Sequence, residues 1–147
     1  MQLQSASTRI PTLSKVYLCD TALAKTVRFF EDKEKLMENC VFLELLRQRN
    51  TSPSLEIHYW NSGVNEVDFV LRVGGKVEEL LQVTYADSLN NVHTREIDAL
   101  LKASRELKPK KLTVITWNAE GQKQFGDKKI VFTPLWKWLL GWQTLNR

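Results

Sequence analysis

The strongest constraint on the fold is a pair of apolar segments, residues 66–73 and 76–85, that meet at Gly74-Gly75. Both segments are rich in valine, leucine and aromatic residues, which favour β-strands. Two glycines between such segments are typical of a tight β-hairpin turn. If the turn is centred on the glycine pair, Asp68 and Gln82 lie opposite each other on neighbouring strands, with side chains within roughly 5 Å.

Helix and strand signals alternate along the rest of the chain, with polar or glycine-containing loops between them. The predicted helices span residues 20–30, 32–49, 92–107 and 134–140, and the further predicted strands span residues 15–18, 55–60, 111–117 and 130–132. Residues 119–129 are interpreted as a polar loop, and Gly141 as the end of the last helix. This order predicts an α/β fold with a mixed central sheet flanked by helices on both faces, in which strands 76–85 and 111–117 are parallel.

The length and charge of the chain limit its class. Its 147 residues suit one domain with a substantial core, and we interpret residues 1–14 as a loose N-terminal lead-in and residues 15–147 as that domain. The net charge of +4 permits a polyanionic partner without requiring one. Cys19 and Cys40 do not follow a metal-binding spacing, so reduced thiols and a cytoplasmic location are predicted. Apolar segments too short to span a bilayer predict no membrane partner.

Two acidic residues lie where apolar side chains are expected. Glu38 lies within about 60° of three apolar side chains on a helical wheel of residues 32–49. Asp68 lies inside an apolar strand, and Gln82 and Thr84 share one face of the next strand. Because buried acids are costly unless a positive group meets them, these residues predict a site for a divalent cation with oxygen ligands. When Glu38 is considered alone, the alternative is that it is a paired acid, or that it lies where the apolar stripe of the helix reaches solvent.

Five short segments carry a further signal. Their sequences are VYLCDTAL at 16–23, ENCVFLEL at 38–45, EVDFV at 66–70, TREIDAL at 94–100 and PLWKWLL at 134–140. In this order they resemble the restriction-endonuclease-like superfamily of PD-(D/E)XK nucleases, and most closely the nuclease-like C-terminal domain of archaeal-type P-loop ATPases. The resemblance covers nearly the whole chain after about residue 14 and rests on the ordered set of segments.

The resemblance implies a Mg²⁺- or Mn²⁺-dependent DNA nuclease that hydrolyses phosphodiester bonds. It implies metal ligation by Glu38, Asp68 and Gln82, and catalytic roles for Asp68, Gln82 and Thr84. The family's Glu-x-Lys pair is replaced here by Gln82 and Thr84, so one negative charge and the lysine's positive charge are missing. Gln82 still offers a carbonyl oxygen to a hard cation. Arg95 is interpreted as a catalytic helper near this site, with a solvated position as the alternative.

The missing lysine leaves two other functions open. One is a catalytically inactive module that binds nucleic acid or a partner ATPase, and the other is a homodimerisation domain with the tryptophan-rich C-terminal end as its interface. Gly74-Gly75-Lys76 does not match a phosphate-binding loop, so a P-loop ATPase partner would be a separate domain or chain. Basic residues within 108–111 and 123–129 are either a phosphate-contacting rim for DNA or solvated loops.

Overall fold

The computed structural model describes Lys15, Tyr17 and residues 32–145, with side chains described as far as residue 141. Six strands and three α-helices occur in these residues, together with a short 3-10 turn at Leu89–Asn91. The strands are β1 (Leu55–Asn61), β2 (Glu66–Val73), β3 (Lys76–Thr84), β4 (Lys111–Thr116), β5 (Gly121–Phe125) and β6 (Lys128–Pro134). The helices are α1 (Lys33–Thr51), α2 (Thr94–Leu107) and α3 (Leu135–Leu145).

The strands form one mixed sheet in the order β1-β2-β3-β4-β6-β5. The first three strands pair antiparallel, β4 pairs parallel with β3, and β6 pairs parallel with β4. Strand β5 closes one edge by antiparallel pairing with β6. The predicted parallel arrangement of the third and fourth strands is confirmed, since α2 provides the long connection that parallel neighbours require.

Each face of the sheet carries its own apolar core. On one face α2 packs against the sheet through Leu100 and Ala103, which are fully buried. On the other face α1 packs through Val41 and Leu45, and Trp138 of α3 joins the same core. Strands covered on both sides read as nearly continuous apolar runs, which explains why β3 is buried over its last residues. The predicted α/β fold with helices on both faces of a mixed sheet is confirmed.

The β2–β3 hairpin turns at the predicted glycines, and its register shifts once, between Leu71 and Arg72. Its two turn glycines adopt φ angles of 57° and 79°, a conformation in which a side chain is strained. Phe69 pairs with Leu81, and continuing this register by one residue places Asp68 across from Gln82. The sequence prediction of these two residues as cross-strand neighbours is therefore confirmed.

The interpretation of residues 119–129 as a loop is wrong, because β5 lies within them. This strand is at the sheet edge, and its central residues are exposed. An exposed edge strand does not need the alternating apolar pattern from which strands are recognised. Gly126 adopts a φ of 61° in the tight turn between β5 and β6.

The prediction that the last helix ends at Gly141 is also wrong, because α3 continues to Leu145. A glycine inside a helix costs only about 1 kcal/mol relative to alanine, which neighbouring helical residues readily offset. Lys15 and Tyr17 are not in a strand, and the rest of the predicted strand 15–18 lies outside the described residues, as do the predicted helix 20–30 and the lead-in 1–14. None of the helices described is both long and apolar enough to span a membrane.

Candidate functional site

Glu38 is positioned by the packing of α1. Asp32 is the N-cap of this helix, and its carboxylate accepts a hydrogen bond of 2.9 Å from the backbone N–H of Glu34. Such an N-cap satisfies one of the unpaired N–H groups at a helix start. Val41 and Leu45 on the same helix are completely buried against the sheet. This packing holds Glu38, one turn before Val41, in a cavity that Asp68 of β2 also lines.

Asp68 and Gln82 connect β2 to β3 through their side chains. One carboxylate oxygen of Asp68, Oδ2, accepts a hydrogen bond of 2.9 Å from the backbone N–H of Val83. In return, Oε1 of Gln82 accepts a hydrogen bond of 3.2 Å from the backbone N–H of Asp68. Both side chains are buried, with Asp68 only 6% exposed. Gln82 therefore lies beside Asp68 as predicted, but its oxygen already serves the backbone.

Lys15 brings the predicted acids together, and reasoning from the sequence missed it. Its Nζ donates to Oδ1 of Asp68 at 2.7 Å and to Oε1 of Glu38 at 3.0 Å. Oε1 of Glu66 lies 3.4 Å from the same nitrogen. The lysine side chain is only 18% exposed. Its one sequence signal is its place immediately before the VYLCDTAL segment, and that signal does not indicate which residues it contacts.

Tyr17 supports Glu38 from the same stretch of chain. Its hydroxyl donates a hydrogen bond of 2.8 Å to Oε1 of Glu38, and its ring stacks on Phe42 at a centroid distance of 4.0 Å. Burial and the Glu38 carboxylate raise the pKa of Tyr17, so the hydroxyl keeps its proton and acts as a donor. Glu38 therefore accepts two hydrogen bonds, one from an ammonium group and one from a phenol.

The pKa values of Lys15 and Asp68 reflect opposing effects of burial and of ion pairing. Burial alone would lower the pKa of Lys15, but the carboxylates of Asp68 and Glu38 outweigh it and raise that pKa above its ordinary value. Burial raises the pKa of Asp68 to about 7, with Lys15 opposing the rise and Glu38 adding to it. Lys15 therefore stays charged, and this charge is what makes the buried carboxylate tolerable.

A second acidic pair, Glu34 and Glu96, lies beside Thr84. Oε2 of Glu34 accepts hydrogen bonds from the Thr84 hydroxyl at 3.3 Å and from the Tyr85 backbone N–H at 3.1 Å. Glu96 is only 8% exposed, and its Oε2 finds no hydrogen-bond partner among the described residues. Burial, and then the nearby Glu34 carboxylate, raise the pKa of Glu96 to about 7. Thr84 thus bonds to Glu34, which was not foreseen, and its catalytic role stays a prediction.

The acids of both pairs, together with Gln82, line one cavity of about 290 Å³, which we call the acidic cleft. Arg95 lines it too, at the start of α2, but it is exposed, which fits the solvated alternative, and its catalytic role stays a prediction. The acidic lining residues are Asp32, Glu34, Glu38, Glu66, Asp68 and Glu96, and the basic ones are Lys35 and Arg95. Even with Lys15 counted, carboxylates outnumber basic groups two to one in the described part of the cleft. Such a surplus attracts cations and repels bare phosphate.

The cleft fits a hard divalent cation in charge and in ligand type. Carboxylate oxygens such as those of Glu38 and Asp68 are ligands that Mg²⁺ prefers. The Lys15 ammonium, however, lies between them, and the oxygen of Gln82 is used by a backbone N–H. Within the described residues, no group of three or more Asp, Glu, His or Cys side chains is arranged to hold a metal ion. A metal at these carboxylates would therefore have to take the place of Lys15, and the magnesium prediction stays a prediction.

The basic residues near 108–111 lie toward the other end of β3 from the acidic cleft. Glu79 of β3 is the register partner of Lys111, whereas Gln82, which lines the cleft, is the partner of Val114. Three residues of strand separate these positions, which corresponds to about 10 Å. Nζ of Lys110 is 2.7 Å from Oε1 of Glu78, so this lysine is paired with an acid. These contacts favour the solvated alternative over a phosphate rim at the cleft.

The tryptophan-rich C-terminal end is divided between the core and the surface. Trp138 is 7% exposed and belongs to the core beneath α1, whereas Trp136 is 55% exposed. Trp117, at 48% exposure, is a further exposed tryptophan and lies beside Tyr85 with ring centroids 5.5 Å apart. A dimer interface at this end stays a prediction.

Comparison with known proteins gives relatives for the sequence and for the fold. The uncharacterized protein MJ1544 of Methanocaldococcus jannaschii is 36% identical over 142 residues, which cover 92% of this chain and 31% of that protein. The chain thus spans about a third of the length of this relative. A similar fold occurs in a refined half-complex from a tetradecameric assembly of Thermococcus gammatolerans McrB AAA+ hexamers with bound McrC. That likeness has a TM-score of 0.52 at 18% identity and covers 70% of this chain and 28% of the other.

A family model matches residues 33–138, from the start of α1 into α3. The matched region contains Glu38, Asp68, Gln82 and Glu96, and so includes most of the acidic cleft. Lys15, which pairs with the first two of these acids, precedes the matched region. The chain belongs to the DUF4143 family, which is described as a domain of unknown function.

Proposed function

We propose that the chain is a nuclease domain of the restriction-endonuclease-like PD-(D/E)XK superfamily that hydrolyses phosphodiester bonds in DNA. The observation that carries the proposal is the convergence of Glu38 and Asp68 on a single cationic group, Lys15. The two acids come from a helix and a central strand, as the resemblance of their segments to this superfamily implies. Two acids gathered at one point inside a fold are costly, and a cation-dependent reaction is a reason to retain them.

The basic residues around the acidic cleft suit a phosphate backbone. Lys35 on α1 and Arg95 on α2 line the cleft from two different helices. Lys33 is held beside Tyr85 by a hydrogen bond of 3.3 Å, and Lys102 contacts Ser62 at 3.4 Å. Basic groups of this kind position a nucleic acid through its phosphates without reading the base sequence. The acidic floor between them then requires a cation before a phosphate can approach.

Each residue of the site has a distinct task in this proposal. Glu38 and Asp68 would hold Mg²⁺ or Mn²⁺, which when bound polarises a phosphate and lowers the pKa of a water. Gln82 is a positioning residue, because its oxygen fixes the backbone of Asp68. Tyr17 orients Glu38 by its hydrogen bond. Lys15 brings to the site the positive charge that Thr84 cannot supply.

The proposal includes a P-loop ATPase as partner, either in the same protein or in a separate chain. The M. jannaschii relative is about three times as long as the region it shares with this chain. The structurally similar complex contains AAA+ hexamers of McrB with bound McrC. We therefore propose that residues 15–147 act as one nuclease-like domain alongside such an ATPase.

A second candidate is a catalytically inactive module, and two contacts favour it. The Lys15 ammonium already neutralises Glu38 and Asp68, and Gln82 uses its oxygen in the β2–β3 connection. With the carboxylates satisfied in this way, the fold does not need a metal. The surplus of acids would then repel DNA, so the module would bind its ATPase partner through this cleft and would not bind nucleic acid there.

The two candidates differ in a cleavage assay with plasmid, single-stranded and branched DNA in Mg²⁺ or Mn²⁺. If the chain is a nuclease, Asp68→Asn lowers the cleavage rate by at least about 10²-fold, since it removes charge at the reacting centre. Glu79→Gln is the matched control, because Glu79 is equally buried but lies at the far end of β3. Cleavage absent from the wild type in both metals supports the inactive module, and cleavage untouched by Asp68→Asn rules out this site.

A further inference from the structure

We infer that Lys15 is a resident cation of the acidic cleft and that a divalent metal binds Glu38 and Asp68 only by displacing it. The inference deepens the proposed function, on which it rests, by making metal loading a competition within the chain. Reasoning from the sequence placed no lysine at this site, since the strand position used by the resembling family holds Thr84.

The competition follows from where the lysine nitrogen lies. Nζ is 2.7 Å from Oδ1 of Asp68 and 3.0 Å from Oε1 of Glu38, so it uses the same two side chains that a metal would bind. Mg²⁺ requires oxygen ligands at about 2.0–2.1 Å. An ammonium and a divalent ion that share these ligands would lie within a few ångströms of each other, where their repulsion in a buried site is strong.

The cleft also offers the displaced lysine another partner. Oε1 of Glu66 is 3.4 Å from Nζ, and the Glu66 side chain is 51% exposed, so it faces the open side of the cleft. A short shift toward Glu66 would free Asp68 and Glu38 while the ammonium stays paired. The hydrogen bond from Tyr17 would still hold Glu38 in place during that shift. The exchange of one cation for another therefore does not require the fold to open.

The first test is a calorimetric titration of Mn²⁺ into the wild type, Lys15→Met and Lys15→Gln, without DNA. We expect both substitutions to lower the Kd for Mn²⁺ by at least about tenfold, because they remove the competing charge. Lys35→Met is the matched control, since Lys35 lines the same cleft and carries the same charge. Adding Asp68→Asn to Lys15→Met should abolish the gain. A Kd that is unchanged by the Lys15 substitutions, or lowered equally by Lys35→Met, overturns the inference.

The second test uses the wild-type protein and therefore does not depend on the folding of a variant. A brief pulse of an amine-acylating reagent is applied with and without saturating Mn²⁺, and the modified lysines are quantified by mass spectrometry. We expect Mn²⁺ to raise the labelling of Lys15 severalfold relative to Lys35, and unchanged labelling contradicts the displacement. Neither measurement uses DNA. Absence of DNA cleavage would therefore contradict the proposed function without contradicting this inference.

Discussion

The two ends of strand β3 carry acids in different ways. At its beginning, Glu78 is paired with Lys110 at 2.7 Å, and Glu79 accepts a hydrogen bond of 2.5 Å from Thr113. At its end, beside Gln82 and Thr84, carboxylates from α1, β2 and α2 gather in the acidic cleft. Acids at the first end have individual partners, whereas at the second end Glu38, Asp68 and Glu66 share Lys15. Carboxylates outnumber basic groups in the described part of the cleft.

This difference separates ion pairs that can be lost singly from a cluster of charges whose members depend on one another. A surface pair such as Glu78 and Lys110 contributes little to stability and can be lost without consequence for its neighbours. A buried cluster is different, because removing one member leaves the others uncompensated. Substitutions at the two ends of β3 test this difference.

The largest change in the free energy of unfolding is expected for Lys15→Ala. This substitution leaves Glu38 and Asp68 close together without the ammonium that contacts both. We expect a loss of about 3–5 kcal/mol in the free energy of unfolding at pH 8, the usual cost of breaking a buried ion pair. Urea denaturation followed by circular dichroism measures it. Lys35→Ala is the control, and equal losses in the two variants would remove the distinction between the shared lysine and its neighbour.

Glu96→Gln should change the free energy of unfolding by an intermediate amount that depends on pH. The pKa of Glu96 in the folded protein is about 7, above its ordinary value of 4.5, so the folded state keeps a proton that the unfolded chain has released in this range. The contribution of Glu96 is therefore fully present below pH 4.5 and is lost as the pH rises through 7. Its ionisation costs the folded state up to about 3 kcal/mol above pH 7.

We accordingly expect Glu96→Gln to be more stable than the wild type at pH 8, by up to about 3 kcal/mol, and nearly equal to it at pH 4. Thermal unfolding across this range measures the difference. Asp98→Asn, which changes an exposed acid on the same helix, provides the comparison. If the two variants follow the same pH profile, the buried position of Glu96 is not the cause of its effect.

The smallest change in the free energy of unfolding is expected at the start of β3, beside Glu78. Lys110 is 66% exposed and its pair with Glu78 is open to solvent on one side. Lys110→Ala should lower the free energy of unfolding by less than about 1 kcal/mol, and added salt should reduce even this difference. Urea denaturation at low and high ionic strength measures both quantities. A loss as large as that of Lys15→Ala would mean that the two ends of the strand do not differ.

Much of the framework could be predicted because its signals are local. Two glycines between apolar segments indicated the β2–β3 hairpin, and the period-two pattern of strands placed Asp68 and Gln82 opposite each other. The apolar stripe of α1 indicated that Glu38 faces the sheet. Strand β5 escaped prediction because a polar edge strand has a pattern that resembles a loop.

The pattern of apolar and acidic residues was sufficient to predict the α/β fold and the proximity of Glu38 and Asp68. When each helix and strand must bury its apolar side, few arrangements of these elements are possible. The identity of their cationic partner was different. Lys15 is 53 residues from Asp68 in the chain, and its long side chain has no periodic signal that would assign it a neighbour. The pairing of Glu34 with Glu96 likewise depends on how two helices approach the same strand end, which is a matter of packing in three dimensions.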